Sequence, residues 1–280
     1  MNARSASILH ISDTHFGTQW PAVVDALVAL AHSLAPDLVV LGGDVTQRAR
    51  RAQFRAAVDF LRRLPAPVLA VPGNHDIPLF DLWSRCLRPY GNFRQALGPN
   101  LQPSFATPRL LVLGVNSTRP ARHKDGELSD AQVRGVARRL RAADPAQLRV
   151  VVLHHPMRSV TLQDTANLVK GHEQAARLWA ASGADLVLGG HIHLPYIVPL
   201  HPDAARRAWA VQAGTAVSHR LRAGVPNSVN HIVYPPEGGC CVVEQWDCAA
   251  PGQAFARACS VRLDLDRVPV DPEPASMRQG

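Results

Sequence analysis

Five short clusters of metal-binding side chains recur along the 280 residues of this chain, each directly behind a short aliphatic run. Carboxylate, carboxamide and imidazole groups together suit manganese, iron, zinc, nickel or cobalt better than magnesium or calcium, which prefer shells made only of oxygen. An aspartate can also bridge two ions at the separation of roughly 3.5–4 Å that two-metal hydrolytic sites use. The pattern therefore predicts a site for two divalent or trivalent ions, with manganese and iron favoured. In chain order the clusters are Asp13-Thr14-His15, Gly42-Gly43-Asp44, Gly73-Asn74-His75-Asp76, His154-His155 and Gly190-His191-Ile192-His193.

The clusters differ in how much each one indicates by itself. Asp13 could cap a helix, and Asp44 could belong to an ordinary glycine turn. The run from Gly73 to Asp76 is more specific, because few structural roles require three such polar residues directly behind a buried strand. The ordered series of all five is more specific still, since loops at the carboxyl ends of α/β strands build sites together.

Short aliphatic strands alternate with amphipathic helices over the first two thirds of the chain, which predicts an α/β sheet with helices on its outer faces. From Trp209 onward the pattern becomes extended, which predicts a meander of antiparallel strands forming a second sheet packed on the first. We expect one domain over residues 1–265 and a flexible, proline-rich tail over residues 266–280. The predicted strands of the first part are Ser7–Ile11, Leu38–Leu41, Val68–Val71, Leu110–Val115, Arg149–Leu153 and Leu186–Leu188. The predicted helices are Val23–Leu34, Gln53–Leu64, Ala131–Ala143 and His172–Ser182.

The five clusters and their order resemble the calcineurin-like metallophosphoesterases, over a stretch from about Ile8 to Pro195. The resemblance implies a four-layer αββα sandwich of two mixed sheets flanked by helices. It also implies that Asp44 bridges two metal ions and that no ligand of the family pattern is missing. The implied ligands of one ion are Asp13, His15, Asp44 and His193, and those of the other are Asp44, Asn74, His154 and His191.

Such a site predicts phosphoester hydrolysis, in which a water held between two cations is deprotonated near neutral pH and attacks phosphorus in line. His75 stands where the family places a residue beside the leaving group, so it is expected to donate a proton or to stabilise charge on the leaving oxygen. Asp76 is expected either to orient His75 or to act as a turn residue. His155 is expected to support the ligands or to pack, and not to bind a metal. Asn74 and His75 would also contact substrate.

Outer segments of the chain resemble the bacterial class III cyclic-nucleotide phosphodiesterases, which implies a substrate among cyclic nucleotides or other small phosphodiesters. The family's usual aspartate before Ser117 is Asn116 in this chain. Arg119 and His123, in a basic loop over residues 118–124, are expected either to hold a substrate phosphate or simply to be solvated. Arg220 and Arg222 carry the same two expectations. The resembling segments are Ile11-Ser12-Asp13-Thr14-His15, Asn116-Ser117 with Gly126-Glu127-Leu128 and Gln132, and Gly214-Thr215 with Pro226-Asn227-Ser228-Val229-Asn230.

Two other functions stay open from the sequence. A pyrophosphohydrolase of a nucleotide-linked lipid precursor, of the UDP-diacylglucosamine type, would need an exposed apolar surface beside the site, and the stretch Met157–Val169 is only mildly apolar. A nuclease or nucleic-acid-binding protein is suggested by the net charge of +8. However, Lys124 and Lys170 are the only lysines among 30 basic residues. That arginine bias is partly compositional, so nucleic acid is a possible partner but not the favoured one.

Three broader expectations concern location, cysteines and assembly. No apolar run approaches the ~20 residues needed to span a bilayer, and the N-terminus lacks the apolar stretch of a secretory signal, so we expect a cytoplasmic protein. The five cysteines lack paired C-x₂₋₄-C spacing, so we expect reduced thiols and no disulfide framework. The C-terminal strands are expected either to cover the site or to form a homodimer contact.

Overall fold

The strands of this chain pack against two different apolar cores. In the first strand, Leu9 and Ile11 belong to one buried cluster and Ile8 to another. Successive strand side chains point to opposite faces, so a strand that is apolar on both faces must lie between two other layers. The computed structural model, which describes residues 4–202 and 206–267, meets this requirement with two stacked sheets.

Twelve strands and six α-helices form the fold within the described residues. Four of these elements are not predicted from the sequence, because at three to seven residues they are too short to show a periodic pattern. The strands are β1 (Ala6–Ile11), β2 (Leu38–Leu41), β3 (Val68–Ala70), β4 (Ser104–Ala106), β5 (Leu110–Gly114), β6 (Leu148–Val152), β7 (Leu186–Gly189), β8 (Tyr196–Pro199), β9 (Trp209–Gln212), β10 (Asn227–Tyr234), β11 (Cys240–Cys248) and β12 (Ala256–Asp264). The helices are α1 (Pro21–Leu34), α2 (Arg51–Leu61), α3 (Leu82–Leu87), α4 (Gly91–Leu97), α5 (Asp130–Arg141) and α6 (His172–Ala181). The unpredicted elements are β4, β8, α3 and α4.

Both sheets have six strands and both are mixed. The first has the order β12-β11-β10-β1-β2-β3, in which β1, β2 and β3 are parallel and the others antiparallel. The second has the order β4-β5-β6-β7-β9-β8, in which only the edge strands β4 and β8 are antiparallel to their neighbours. Helices α1, α2 and α4 pack on the outer face of the first sheet, α5 and α6 pack on the second, and a third cluster fills the space between the sheets. The expected four-layer αββα sandwich is confirmed.

The prediction that the strands after Trp209 form a separate sheet is wrong. Strand β10 pairs antiparallel with β1, with Ala6 opposite Tyr234 and His10 opposite Asn230, so β10, β11 and β12 extend the first sheet. Strand β9 instead joins the second sheet, parallel to β7. The physical reason is that β1 is a central buried strand, whose backbone groups need a partner along both edges. Strand β2 supplies one partner and β10 supplies the other.

The residues that follow β12 are fixed by the fold as far as the structure describes them. The carboxylate of Asp266 accepts hydrogen bonds from the backbone nitrogen and the guanidinium of Arg207. The Nη1 atom of Arg267 donates to the carbonyl of Gln147 and contacts the carboxylate of Asp185. These two positions are therefore anchored, although the sequence places them in the tail. The rest of the predicted tail, 268–280, lies outside the described residues.

Three further observations bear on the sequence expectations. All five cysteines are free thiols, with Cys86 and Cys259 exposed and the other three buried. Across residues 4–202 and 206–267, none of the helices combines the length and the hydropathy that crossing a membrane requires. Strand β12 forms one edge of the first sheet and exposes all its residues but Leu263, so a homodimer contact there stays a prediction.

Candidate metal centre

The five polar clusters lie at the carboxyl ends of parallel strands from both sheets. Asp13 and His15 follow β1, Asp44 follows β2, and Asn74 begins a short 3₁₀ turn, Asn74–Asp76, after β3. The second sheet contributes from the opposite side: His154 follows β6, and His191 and His193 follow β7. Stacking the two sheets therefore brings five separate loops to one place, which is where α/β sheets build their sites.

Five of the seven predicted ligands adopt a left-handed backbone conformation that residues other than glycine rarely take. Positive φ angles occur at Asp13 (53°), His15 (43°), Asp44 (48°), His191 (75°) and His193 (56°). This left-handed region is costly for residues with a Cβ atom, and such strain concentrates at functional sites. Backbone hydrogen bonds stabilise it: the nitrogen of Asp13 donates to the carbonyl of Gly43 at 3.1 Å, and that of His15 donates to the carbonyl of Asp44 at 2.9 Å.

One group of ligand atoms converges around Asp13, His15 and His193. The Nε2 atoms of the two histidines lie 3.2 Å apart. The Oδ1 atom of Asp13 lies 3.2 Å from Nε2 of His193 and 3.8 Å from Nε2 of His15. The other carboxylate oxygen, Oδ2, accepts hydrogen bonds from the hydroxyl of Ser12 at 2.7 Å and the backbone nitrogen of His191 at 2.9 Å. Among the residues that the structure describes, Oδ1 is left buried without a hydrogen-bond partner, and it faces the two imidazoles.

A second group converges around Asp44, His154 and His191, whose ligand atoms all lie within 4.8 Å of one another. The Nε2 atom of His154 is 3.3 Å from Oδ1 of Asp44 and 3.2 Å from Oδ1 of Asn74. The amide oxygen of Asn74 therefore lies with this group.

Asp44 connects the two groups. Its Oδ2 atom lies 3.6 Å from Nε2 of His15, in the first group, while its Oδ1 atom lies 3.3 Å from Nε2 of His154, in the second. The carboxylate is 2 % exposed. The two oxygens thus face opposite groups, which is the arrangement that a carboxylate bridging two ions requires.

Backbone carbonyls set the tautomers of the histidines. The Nδ1 atom of His154 lies 2.9 Å from the carbonyl of Gly42, and Nδ1 of His193 lies 2.7 Å from the carbonyl of Arg220. A carbonyl can only accept, so each Nδ1 carries a proton, and Nε2 is the atom that faces the group and binds a metal once it is deprotonated. Metal-binding histidines are typically oriented in this way. Together with the unpartnered oxygen of Asp13, these tautomers fit a pair of metal ions.

The electrostatics of the site also fit cations. Burial lowers the pKa of His15 and of His191 to about 3, so both rings are neutral, as metal binding requires. Burial acts in the same direction on His154, but the charge and hydrogen bond of Asp44, the charge of Asp13 and the carbonyl of Gly42 together outweigh it and raise the pKa of His154 to about 9. Asp44 therefore draws positive charge towards the centre.

His75 borders the ligands without belonging to the predicted metal set. Its backbone nitrogen donates to Oδ1 of Asp44 at 2.8 Å, and its Nδ1 lies 2.9 Å from the carbonyl of Gln47. Its Nε2 is 4.0 Å from Oδ2 of Asp44, and its ring contacts that of His15 edge-on with the centroids 4.9 Å apart. The side chain is 21 % exposed, so His75 lies at the mouth of the site.

The expectation that Asp76 orients His75 is not met, and Asp76 takes the turn role instead. Its carboxylate accepts hydrogen bonds from the backbone nitrogens of Val45, Thr46 and Gly73 and from the hydroxyl of Thr46, at 2.8–3.1 Å. Three of these bonds tie the loop after β3 to the loop after β2, and the bond from Gly73 closes the turn itself. Asp76 therefore positions the Asp44 loop, and the carbonyl of Gln47 orients the ring of His75.

His155 lies behind the cluster and contacts the protein through both ring nitrogens. Its Nδ1 lies 2.8 Å from the hydroxyl of Ser117 and its Nε2 lies 2.9 Å from the carbonyl of Lys124. Burial holds its pKa well below the usual range, so the ring is neutral. Its ring contacts those of His154 and His191, with centroids 5.0 and 4.7 Å away. It therefore packs against two predicted ligands and anchors the 118–124 loop.

The structure does not bring Arg119 and His123 to the ligands. The guanidinium of Arg119 donates to the carbonyls of Asn116 and Thr118 and to Oε1 of Gln132. The bond to Gln132 fastens the start of the loop to α5, and the other two hold the guanidinium against the backbone of its own loop. His123 is exposed, and within the described ranges it has no ring contact or ion pair with the cluster.

Several contacts that support the ligand-bearing loops cannot be predicted from the sequence. Nη1 of Arg222 contacts both carboxylate oxygens of Asp164, at 3.1 and 3.0 Å, and the carbonyl of Ile192 at 3.3 Å. It therefore ties a 3₁₀ turn, Gln163–Asn167, to the loop between His191 and His193. The carbonyls of Gly42, Gln47 and Arg220 carry no residue-type signal, so a sequence cannot reveal them. Ser12 differs from these carbonyls, because its position next to Asp13 in the sequence indicates that its hydroxyl can bind the carboxylate of Asp13.

Comparison with known proteins gives consistent results. The family model described as calcineurin-like phosphoesterase matches residues 6–195. The chain is 27% identical over 209 residues to a probable cyclic nucleotide phosphodiesterase of Synechococcus sp., which covers 70% of this chain and 76% of that protein. It is 29% identical over 204 residues to a glycerophosphodiester phosphodiesterase of Enterobacter lignolyticus, with 66% and 70% covered. A dimetal phosphatase from Danio rerio has the same fold, with a TM-score of 0.68 at 14% identity, over 94% of this chain and 100% of that one.

Proposed function

This chain belongs to the calcineurin-like phosphoesterase family, and we propose that it hydrolyses small phosphodiesters, cyclic nucleotides among them, at a binuclear metal centre. The relatives named for cyclic nucleotide and glycerophosphodiester substrates support a diester over a monoester substrate. The proposed ligands of the first ion are Asp13, His15, Asp44 and His193, and those of the second are Asp44, Asn74, His154 and His191.

One observation supports this proposal more than any other. The two oxygens of Asp44 face two separate groups of imidazole nitrogens, at 3.6 and 3.3 Å. A single-ion site would not need a buried carboxylate shared between two groups. When bound, two ions would supply a nucleophile from water at neutral pH and offset negative charge on the phosphoryl oxygens. The mixed carboxylate, carboxamide and imidazole donors favour manganese or iron, with zinc, nickel and cobalt as the other possibilities.

His75 is the proposed proton donor to the leaving group. Its Nδ1 proton is engaged by the carbonyl of Gln47, so a proton given to the leaving oxygen must come from Nε2 of the doubly protonated ring, which then becomes neutral with its Nδ1 proton retained. Its side chain reaches the mouth of the site, as does that of His193, which is 15 % exposed. A diester that enters between these two histidines would place its leaving oxygen beside Nε2 of His75. Asn74, next to it, would contact the same phosphoryl group.

A substrate screen of the manganese-loaded protein tests the proposal. The set contains 3′,5′-cyclic AMP, a glycerophosphodiester, a nucleotide-linked lipid pyrophosphate and duplex DNA at several salt concentrations. We expect turnover of at least one small diester and little hydrolysis of DNA. DNA cleavage with a steep salt dependence would favour the nuclease alternative. Cleavage of the pyrophosphate alone would favour the lipid-precursor alternative.

A further inference from the structure

Four large apolar side chains are exposed within eight residues of one another, just after the Asn74–Asp76 turn. They are Phe80 (78 %), Leu82 (69 %), Trp83 (78 %) and Leu87 (62 %), and we call them the apolar helix patch. Scattered exposed apolar residues are normal on a protein surface, but a contiguous group marks an interaction site.

The apolar helix patch is carried by an ordered element. Helix α3 begins after Asp81, whose carboxylate accepts hydrogen bonds from the backbone nitrogen and the hydroxyl of Ser84, at 2.9 and 2.6 Å. Arg85 attaches the helix to two neighbouring segments, since its guanidinium donates to the carbonyls of Pro78 and Arg122 at 3.0 Å each. Yet no residue of α3 is buried. Polar hydrogen bonds therefore hold the helix in place, and its apolar side chains stay exposed and available to contact another surface.

This patch adjoins the mouth of the metal centre. The guanidinium of Arg48 lies over the ring of Phe80, 5.3 Å from its centroid. Arg48 directly follows Gln47, whose carbonyl holds the ring of His75. A surface that covers the patch would therefore lie beside the entrance of the site.

The charges around the patch are positive. Arg48 and Arg88 are exposed and Arg85 is half-buried, and none of the three has an ion pair within the described residues. Asp81, the acidic residue of the segment, is engaged as the cap of α3. Aromatic and leucine side chains flanked by unpaired arginines are typical of segments that lie in the interface of a membrane. A symmetric contact with a second copy would instead bring these arginines together, which like-charge repulsion disfavours.

From these observations we infer that the apolar helix patch docks this protein on the surface of an anionic phospholipid bilayer. Phe80, Leu82, Trp83 and Leu87 enter the boundary between headgroups and acyl chains, and Arg48 and Arg88 contact lipid phosphates. The attachment is peripheral and reversible, and it weakens with salt because part of it is electrostatic. It places the mouth of the metal centre at the level of the headgroups.

Co-sedimentation of the full chain with vesicles tests this inference. The vesicles are made of phosphatidylcholine alone or of phosphatidylcholine with phosphatidylglycerol. We expect binding to the anionic vesicles, weakened by salt, and a loss of at least about tenfold in the bound-to-free ratio for the Phe80→Ser/Trp83→Ser double variant. Val261→Ser, at another exposed apolar position on β12, is the matched control and should bind normally. Hydrolysis of a soluble diester should be unchanged in all these proteins.

Charge is tested separately. Arg88→Glu should weaken binding to anionic vesicles, whereas Arg139→Glu, which makes the same charge change at an exposed position on α5, should weaken it much less. Equal losses for both would mean non-specific attraction and would overturn the docking surface. Absence of vesicle binding by the unmodified protein would overturn it as well. Concentration-dependent dimerisation that the Phe80→Ser/Trp83→Ser variant abolishes, without vesicle binding, would assign the patch to a second copy instead.

Discussion

The Nδ1 atom of His75 lies 2.9 Å from the carbonyl oxygen of Gln47, and this single contact keeps a proton on Nδ1 and fixes the direction of the ring. The backbone nitrogen of the same residue donates to Oδ1 of Asp44 at 2.8 Å. The imidazole is therefore aligned by protein groups alone, next to the proposed ligands. A residue held in this way can act on a leaving group without contributing to metal affinity.

Replacing this histidine should separate catalysis from metal binding. We expect His75→Ala to lower kcat by roughly 10²–10⁴-fold, the usual contribution of a positioned acid, while the protein keeps two metal ions. His123→Ala, at an exposed histidine that does not contact the cluster, should change activity by about twofold or less. Steady-state kinetics and metal analysis of the same samples provide the comparison. Loss of both ions from His75→Ala would make His75 a ligand and contradict its proposed role.

Gly73 permits the close approach of two loops. A Cβ atom at this position would overlap the backbone nitrogen and the carboxylate of Asp44, and a backbone atom cannot move aside cheaply. Gly73→Ala should therefore lower the free energy of unfolding by about 1–3 kcal/mol and weaken metal binding. Gly135→Ala is the control. Gly135 lies inside α5, and a Cβ atom added there would be 4.0 Å from its nearest neighbour. This variant should raise the free energy of unfolding by about 0.5–1 kcal/mol. Urea denaturation measures both, and equal stability of the two variants would refute the close approach.

The ion pair of Arg222 and Asp164 should position the His191–His193 loop. Asp164 is 6 % exposed, so removing the arginine leaves a buried carboxylate without its partner and frees the carbonyl of Ile192. We expect Arg222→Ala to weaken manganese binding by about 10–100-fold, as is usual for residues that support metal ligands. Arg207→Ala removes an exposed ion pair with Asp266 and should leave the affinity unchanged. An unaltered manganese Kd in Arg222→Ala would show that the pair is unrelated to the site.

His10 should make the protein sensitive to mild acid. Burial lowers its pKa from 6.5 to about 4, and neither ring nitrogen has a hydrogen-bond partner within the described residues. As the pH falls, His10 is protonated in the unfolded chain before it is protonated in the folded protein. The free energy of unfolding that is present above pH 6.5 is therefore lost progressively down to about pH 4. The shift corresponds to about 3 kcal/mol. His10→Leu should reduce the loss of unfolding free energy between pH 7 and pH 4.5, measured by urea titration in metal-free buffer.

The exposed histidine His32 gives the control for that experiment, because His32→Leu removes a histidine without opening the buried layer. If His10→Leu loses as much stability in acid as the unmodified protein, the acid sensitivity has another source.

The predicted ligands can be identified from the sequence because the signal for each one lies within a few residues. Each cluster follows an aliphatic run, so the position of Asp44 or His191 relative to its strand is encoded within a few residues. The pairing of β10 with β1 was not accessible, because it joins Ala6 to Tyr234 across most of the chain and no local period reports it. The same limit applies to Asp76, whose carboxylate binds Val45 and Thr46 about 30 residues earlier in the chain.

The backbone adds information that residue types alone do not contain. The positive φ angles at Asp13, His15, Asp44, His191 and His193 depend on hydrogen bonds between loops that are distant in sequence. Glycine is the usual choice for such angles, so a sequence with aspartate and histidine there gives no warning of them. The strain is visible only in the structure.

Hydrolysis of bis-(p-nitrophenyl) phosphate by metal-stripped protein, titrated with manganese and compared with Asp44→Asn, tests the bridged two-metal centre most directly. We predict turnover that rises until two ions are bound per chain, and a loss of at least about 10³-fold in Asp44→Asn, since one amide oxygen cannot serve both groups of ligands. Absence of turnover with manganese, iron, zinc, nickel or cobalt, or full activity in Asp44→Asn, would contradict the account.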